Sequence, residues 1–210
     1  MRRLVTETLG KLGAVSAKLE VVNACHDPHP EVRQAALVAL TQLEDRDLLS
    51  HLLASADDGD ALVRETAVRL LTDIDHPAAL SATVSAAQDE MPHVRETAIR
   101  SLAVKGGPEA LQALINARGD EDYRVSKTAV ESLGSFGSEA LRPLAEALED
   151  ASFPDQAAVR GLEEIGGQAV PILIEALESP RLPARRAAAN ALIRLYIAGN
   201  LTDEQLALIE

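Results

Sequence analysis

The apolar positions of this chain fall on a helical spacing, and the spacing itself repeats. Within residues 77–106, Leu80, Val84 and Ala87 stand at i, i+4 and i+7. A short turn containing Pro92 follows, and Val94, Ala98 and Leu102 then form a second stripe that ends at Gly106 and Gly107. Each stripe gathers its apolar side chains on one face of an amphipathic helix. Proline is tolerated in a first helical turn, where its missing N–H would be unpaired anyway. Glycine suits the left-handed residue that closes a helix. The predicted unit is helix A, a tight turn, helix B and a glycine stop.

The unit recurs along the chain. Val63 to Ala67 and Val94 to Ala98 both read VRETA, 31 residues apart; one interval earlier stands VRQAA at Val32 to Ala36, and one interval later VSKTA at Val125 to Ala129. The small residue closing the motif runs through Val5, Ala36, Ala67, Ala98 and Ala129 and, with a slip of one or two residues, Ala158 and Ala188. Four positions on, Leu9, Leu40, Leu71, Leu102, Leu133, Leu162 and Leu192 follow. A fixed period of this length marks a stacked-repeat architecture. Neither helix can bury its stripe alone, so the units must stack. B helices are expected to end near Gly13, Gly106, Gly134 and Gly166, and to begin at or near Pro30, Pro92, Pro154 and Pro183. The pattern predicts six A–B pairs over roughly residues 14–198, a lone B helix before them and a lone A helix after. With no strand pattern and no linker, residues 1–210 read as a single domain.

The unit resembles the short bacterial and archaeal HEAT repeat, also called the phycobilisome-lyase HEAT-like repeat. GQAVPILIEAL, Gly167 to Leu177, matches its helix A; DPHPEVRQAA, Asp27 to Ala36, matches its turn and the start of its helix B. The resemblance covers essentially the whole chain. It implies an all-α, right-handed α-solenoid, and it leaves function open, because the repeat serves unrelated tasks. The family includes a di-iron hydroxylase that uses His-Glu pairs on successive B helices, but no His-Glu dipeptide occurs here. Its lyase members imply an accessory factor or lyase acting on a cofactor- or chromophore-bearing protein.

Composition narrows the classes. The chain is 47% hydrophobic but only 2% aromatic, with no Trp, so the core is built from Ala, Leu, Val and Ile. No apolar run is long enough for a membrane helix, and no apolar segment follows the two arginines of MRRLVTETLG, so no signal peptide is expected. The one cysteine, Cys25, excludes an internal disulfide and fits a reducing, cytoplasmic setting. A formal net charge of −13 disfavours nucleic acid, whose phosphates need clustered Lys and Arg. Aromatic residues that could stack on bases amount to Tyr123, Phe136, Phe153 and Tyr196. No P-loop, G-x-S-x-G or dinucleotide fingerprint occurs, and neither a catalytic residue nor a cofactor is predicted.

Two charge patterns remain. Asp27, Asp58, Asp89 and Asp120 each stand five residues before a motif valine; Arg33, Arg64 and Arg95 follow the first three valines and Ser126 the fourth. An aspartate at the A-to-B turn can accept N–H bonds from the start of helix B. The arginine can reach a turn carboxylate of its own or a neighbouring repeat, giving a ladder of charge-assisted bonds. Asp150 and Arg185 restore parts of the pattern after Ser126, with Asp155 at the slipped place of the fifth repeat. The other reading of these arginines is an anion-binding row; the aspartates facing them favour the ladder. The second pattern is a pair of rows on the B helices, expected on the concave side: Val38, Arg69, Arg100, Glu131, Arg160 and Asn190, with Gln34, Glu65, Glu96, Lys127, Gln156 and Arg186 four residues earlier. Glu65–Arg69, Glu96–Arg100 and Lys127–Glu131 are spaced as i, i+4 ion pairs. These rows are either ordinary helix-surface pairing or a groove for a partner protein.

Cys25-His26-x-x-His29 is the one cluster resembling a metal site. It lacks a fourth ligand and a second cluster, so it reads as a packed cysteine beside turn histidines, and no metal is predicted. The ends are the last expectation. Leu4, Val5, Leu9 and Leu12 at one end, and Leu201, Leu206, Leu208 and Ile209 after the capping stretch Thr202-Asp203-Glu204-Gln205 at the other, lack a neighbouring repeat. Either the terminal helices serve as caps or the ends meet another copy or another protein. The sequence therefore predicts a non-catalytic scaffold or adaptor that binds another protein along its concave B-helix face.

Overall fold

A computed structural model of the protein describes residues 1–150, 155–199 and 201–206, with 155, 203 and 206 by backbone alone. Phe153, Pro154, Leu208 and Ile209, and the side chains of Asp155, Asp203 and Leu206, lie outside the described residues. The chain divides into two compact units, Met1–Ser101 and Leu102–Glu210. Among the described residues there is no strand, and no helix is long and apolar enough to cross a membrane.

In the first unit a lone B helix, α1 (Arg2–Lys11), precedes three A–B pairs: α2 (Lys18–Ala24) with α3 (Pro30–Gln42), α4 (Leu48–Ser55) with α5 (Ala61–Leu71), and α6 (Pro77–Ala86) with α7 (Pro92–Lys105). The division between the units falls within α7. In the second unit α8 (Pro108–Ala117) pairs with α9 (Tyr123–Ser132), α10 (Leu141–Glu149) with α11 (Asp155–Ile165) and α12 (Val170–Ala176) with α13 (Leu182–Ile197). A lone A helix, α14 (Asp203–Leu206), is the last element among the described residues. These are the six pairs and two half repeats that the period predicts.

The local chemistry explains the boundaries. Pro30, Pro77, Pro92 and Pro108 are first residues of their helices, and Pro171 and Pro183 are second residues. Asp60 and Asp122 cap α5 and α9 by accepting the N–H two residues on, at 2.9 Å in both cases. Gly106 and Gly107, at φ of 69° and 87°, take the left-handed conformation that separates α7 from α8. Gly134 has a different task from the expected stop. A Cβ there would sit 2.8 Å from the carbonyl oxygen of Gly161 and 2.9 Å from its Cα, so two backbones meet where α9 ends against α11.

The repeated apolar positions form the core. Val63, Val94 and Val125, Ala67, Ala98 and Ala129, and Leu71, Leu102 and Leu133 are all fully buried, as are Ala158 and Leu162 in the slipped repeat. In the first unit Leu37, Leu52, Val63, Ala67, Leu71 and Ala79 make one cluster that draws on all three A–B pairs. Each buried leucine contributes roughly 1.5 to 3 kcal/mol, and alanine keeps neighbouring helices close enough to exclude voids. At the first end Leu4, Val5 and Leu12 are exposed, and at the other Ile193, Tyr196 and Ile197 are exposed. α14 is tied back by a hydrogen bond from the Gln205 Nε2 to the carbonyl of Gly167, at 2.7 Å.

Candidate functional site

The turn-edge arginines are wired across repeats. Arg33 donates from Nε and Nη2 to Asp58 Oδ2 and Oδ1 at 2.7 and 2.6 Å, and from Nη1 to the carbonyl of Asp27 at 2.9 Å. Arg64 repeats the arrangement, reaching Asp89 Oδ2 and Oδ1 at 2.7 and 2.9 Å and the carbonyl of Asp58 at 2.9 Å. Arg95 makes the corresponding bond to the carbonyl of Asp89 at 2.8 Å. Arg33 and Arg64 thus each grip the next repeat's carboxylate with two nitrogens and their own turn's carbonyl with the third, a planar fork that lysine could not reproduce.

The aspartates are held from a second side. Asp27, Asp58, Asp89 and Asp120 accept the N–H of the residue two positions on, at 2.8 to 2.9 Å. They therefore shape the turn before the helix; the helix caps proper are the next acids, Asp60 and Asp122. Burial pushes the Asp58 and Asp89 carboxyls up, but the Arg33 and Arg64 forks and the turn N–H groups outweigh it and hold both below the usual range. Arg2, one 31-residue interval before Arg33, is a rung that the motif alone does not reveal. Its Nε lies 2.7 Å from Asp27 Oδ2.

In the second unit the edge is wired otherwise. Ser126 is buried at the arginine's place in α9. Arg185 donates to the carbonyl of Ser179 at 2.7 Å, with no carboxylate partner among the described residues. Links between repeats there include bonds from the ends of A helices and from Arg181 at the start of α13, which donates to the carbonyl of Leu148. Arg118 donates to the carbonyl of Pro143 at 2.6 Å, and Ser179 Oγ to Glu149 Oε2 at 2.8 Å.

The B-helix rows face open grooves in both units. In the first, Gln34, Val38 and Arg69 line a groove of about 330 Å³ together with Arg3, Glu7 and Glu31. In the second, Gln156, Arg160, Arg186 and Asn190 line one of about 390 Å³ together with Glu163 and Arg194. Glu96–Arg100 forms as expected at 2.7 Å, and Lys127–Glu131 at 3.9 Å. Glu65–Arg69 does not form. Glu65 turns to the next B helix, accepting from Thr97 Oγ1 at 3.2 Å and lying 3.8 Å from His93 Nε2. Across repeats Glu131 also takes Arg160 at 2.9 Å, and Arg194 binds Glu163 at 2.6 Å. Stacking offers Glu65 partners at a separation that sequence spacing along one helix does not show.

Cys25 is half-buried, with burial and then the nearby Asp45 carboxylate pushing its thiol up to about 11. A thiol held protonated at neutral pH is a poor metal ligand or nucleophile. His29 is occupied with Arg2, 2.9 Å from its Nδ1, and His26 is exposed.

Comparison with known proteins agrees with these repeats. The model of HEAT repeats matches residues 1–65, 49–125 and 98–156, and the PBS lyase HEAT-like repeat matches residues 156–179. No curated protein sequence matches the chain. Among solved structures, the complex of CpcE and CpcF of phycocyanin lyase from Nostoc sp. PCC7120 is similar at 26% identity and a TM-score of 0.54, covering 70% of this chain and 64% of that one. The chain thus spans less than two thirds of that relative's length. An engineered protein is similar at 19% identity and a TM-score of 0.52, covering 88% of this chain and 98% of that one, a likeness of fold alone.

Proposed function

The chain belongs to the HEAT-repeat family, and from that premise we propose that it is a non-catalytic scaffold or adaptor, working in the cytoplasm, that holds another protein along its B-helix face. The carrying observation is the division of labour among the charged residues. At the turn edge of the first unit the arginines are spent on aspartates, while the B-helix rows line open grooves in each unit. Repeat proteins bind through such extended faces because every repeat presents the same helix to it.

The test is comparative capture. The wild-type chain, a variant changed on the outer A-helix surface at Ser50, Ser81 and Gln112, and Arg69→Glu/Arg100→Glu/Arg160→Glu are each used to retain protein from the source cell. The reading requires one protein retained by the first two and lost by the third, with helicity and melting of all three nearly equal. Equal retention by the third variant overturns it.

A second reading has its own observation: the lyase-type repeat matched at residues 156–179 and the likeness to the phycocyanin lyase complex. On this reading the chain is an accessory subunit of a lyase acting on a chromophore-bearing protein. Visible absorbance that copurifies with the chain when it is produced together with a bilin would support it, and a colourless chain under those conditions would speak against it.

A further inference from the structure

In a chain of formal net charge −13, the groove between α11 and α13 is lined, among the described residues, by three arginines, Arg160, Arg186 and Arg194, and by one acid, Glu163. Two of the three are partnered, Arg160 with Glu131 and Arg194 with Glu163. Arg186 is exposed and has neither an ion pair nor a side-chain hydrogen bond among the described residues. An unpaired guanidinium inside a groove is a ready donor to a carboxylate, because its planar fork fits two oxygens.

The neighbours of Arg186 define the shape of what fits. Arg186, Asn190 and Arg194 lie at i, i+4 and i+8 on α13, so they are spaced about 6 Å apart along the helix axis. Side chains on one face of an extended peptide recur at about 6.8 Å, nearly the same interval. Gln156 and Asn190 stand in the groove as amides that can both donate to and accept from a peptide backbone. Val159, Pro183 and Ala187 supply an apolar floor.

We propose that this groove takes an extended acidic segment of the partner protein, with carboxylates at alternate positions. One carboxylate sits on Arg186. Another, four residues along, competes with Glu163 for Arg194, while Asn190 and Gln156 hydrogen-bond the backbone between them. This rests on the partner-binding reading of the B-helix face and adds the chemistry of what is bound there.

The probe is a fluorescein-labelled peptide of about eight residues alternating glutamate and valine, with glutamine–valine and lysine–valine peptides alongside, followed by fluorescence anisotropy. The glutamate peptide binds the wild-type chain, and raising salt from about 50 to about 300 mM weakens it. Arg186→Glu weakens it by roughly tenfold or more, Arg186→Lys, which keeps the charge but loses the fork, weakens it by less than Arg186→Glu does, and Arg124→Glu, outside the groove, leaves it unchanged. Equal binding of the three peptides, no binding of any, or an Arg186→Glu variant that binds as the wild type overturns the proposal. Circular dichroism of each variant checks that the fold is intact. If the captured partner is lost by the triple B-row variant but kept by Arg186→Glu, the scaffold reading stands and the acidic-segment proposal falls; if the triple variant keeps it, the scaffold reading itself falls.

Discussion

In the first unit Arg33 and Arg64 each grip an aspartate 25 residues on with two nitrogens, and the fork side chains are almost out of water, at 18% and 14% exposure for Arg33–Asp58 and 10% and 10% for Arg64–Asp89. In the second unit Arg185, at the matching place in α13, reaches a single carbonyl, and Ser126 stands where α9 would carry the arginine. The cores of the two units are alike: valine, alanine and leucine at the same repeat positions are buried in both. What differs is the polar edge. Stacking therefore depends on the apolar stripe, while a repeated carboxylate–arginine fork is one of several ways to link the turns. The VRETA motif recurs where the first of these is used. Its valine and alanine serve the core, and its arginine serves the edge.

The largest expected effect breaks that edge. Arg64→Met strips Asp89 of its fork and leaves the carboxylate little exposed, a loss of roughly 2 to 3 kcal/mol. Arg185→Met removes one bond and should cost about 1 kcal/mol or less. Hydrogen exchange of the turn peptides reads the two separately; equal losses would erase the distinction between the units. Next come substitutions in the shared core. Ala98→Leu and Ala158→Leu should each overpack a fully buried site and cost roughly 1 to 3 kcal/mol. A fully stable Ala98→Leu chain would mean that the repeat register is wrong.

Acid sharpens the comparison further. The folded carboxyls of Asp58 and Asp89 lie below their ordinary value, so they add stability that is complete above about pH 3.9 and is lost as pH falls from there through the depressed values. Exchange protection of residues 58–71 should therefore fall below that pH, and Asp58→Asn should flatten the dependence. The smallest effect is expected on the B-helix surface. Arg100→Ala breaks an exposed i, i+4 pair and should shift unfolding by no more than about 0.5 kcal/mol.

Much of the fold was legible because the period is long, nearly constant and carried by residues that stacking buries. The six helix pairs, their proline starts and the half repeats at either end follow from Val63, Val94 and their equivalents. The ladder was legible as to residues, and the structure supplies the direction: Arg33 and Arg64 each take the carboxylate of the next repeat and the carbonyl of their own. Arg2 was missed because its neighbours, Arg3 and Leu4, do not repeat the motif, although the 31-residue interval from Arg33 points to it. Glu65 was assigned to Arg69 because sequence spacing reveals only partners on the same helix, whereas stacking brings Thr97 and His93 within reach. Gly134 read as a stop because a close crossing with Gly161 leaves no mark on either segment alone. The B-helix rows were legible as positions, and the groove between α11 and α13 only as a structure.

The most direct test is a double-mutant cycle on Arg64 and Asp89, using Arg64→Met, Asp89→Asn and the pair, with exchange protection of the α5–α7 region as the readout and partner capture measured in parallel. The expected result is a coupling of roughly 1 to 3 kcal/mol and unchanged capture by all three variants. Additive losses within about 0.5 kcal/mol, or loss of the partner with the fold intact, would contradict the claim that the repeated arginine joins repeats and leaves binding to the B-helix face.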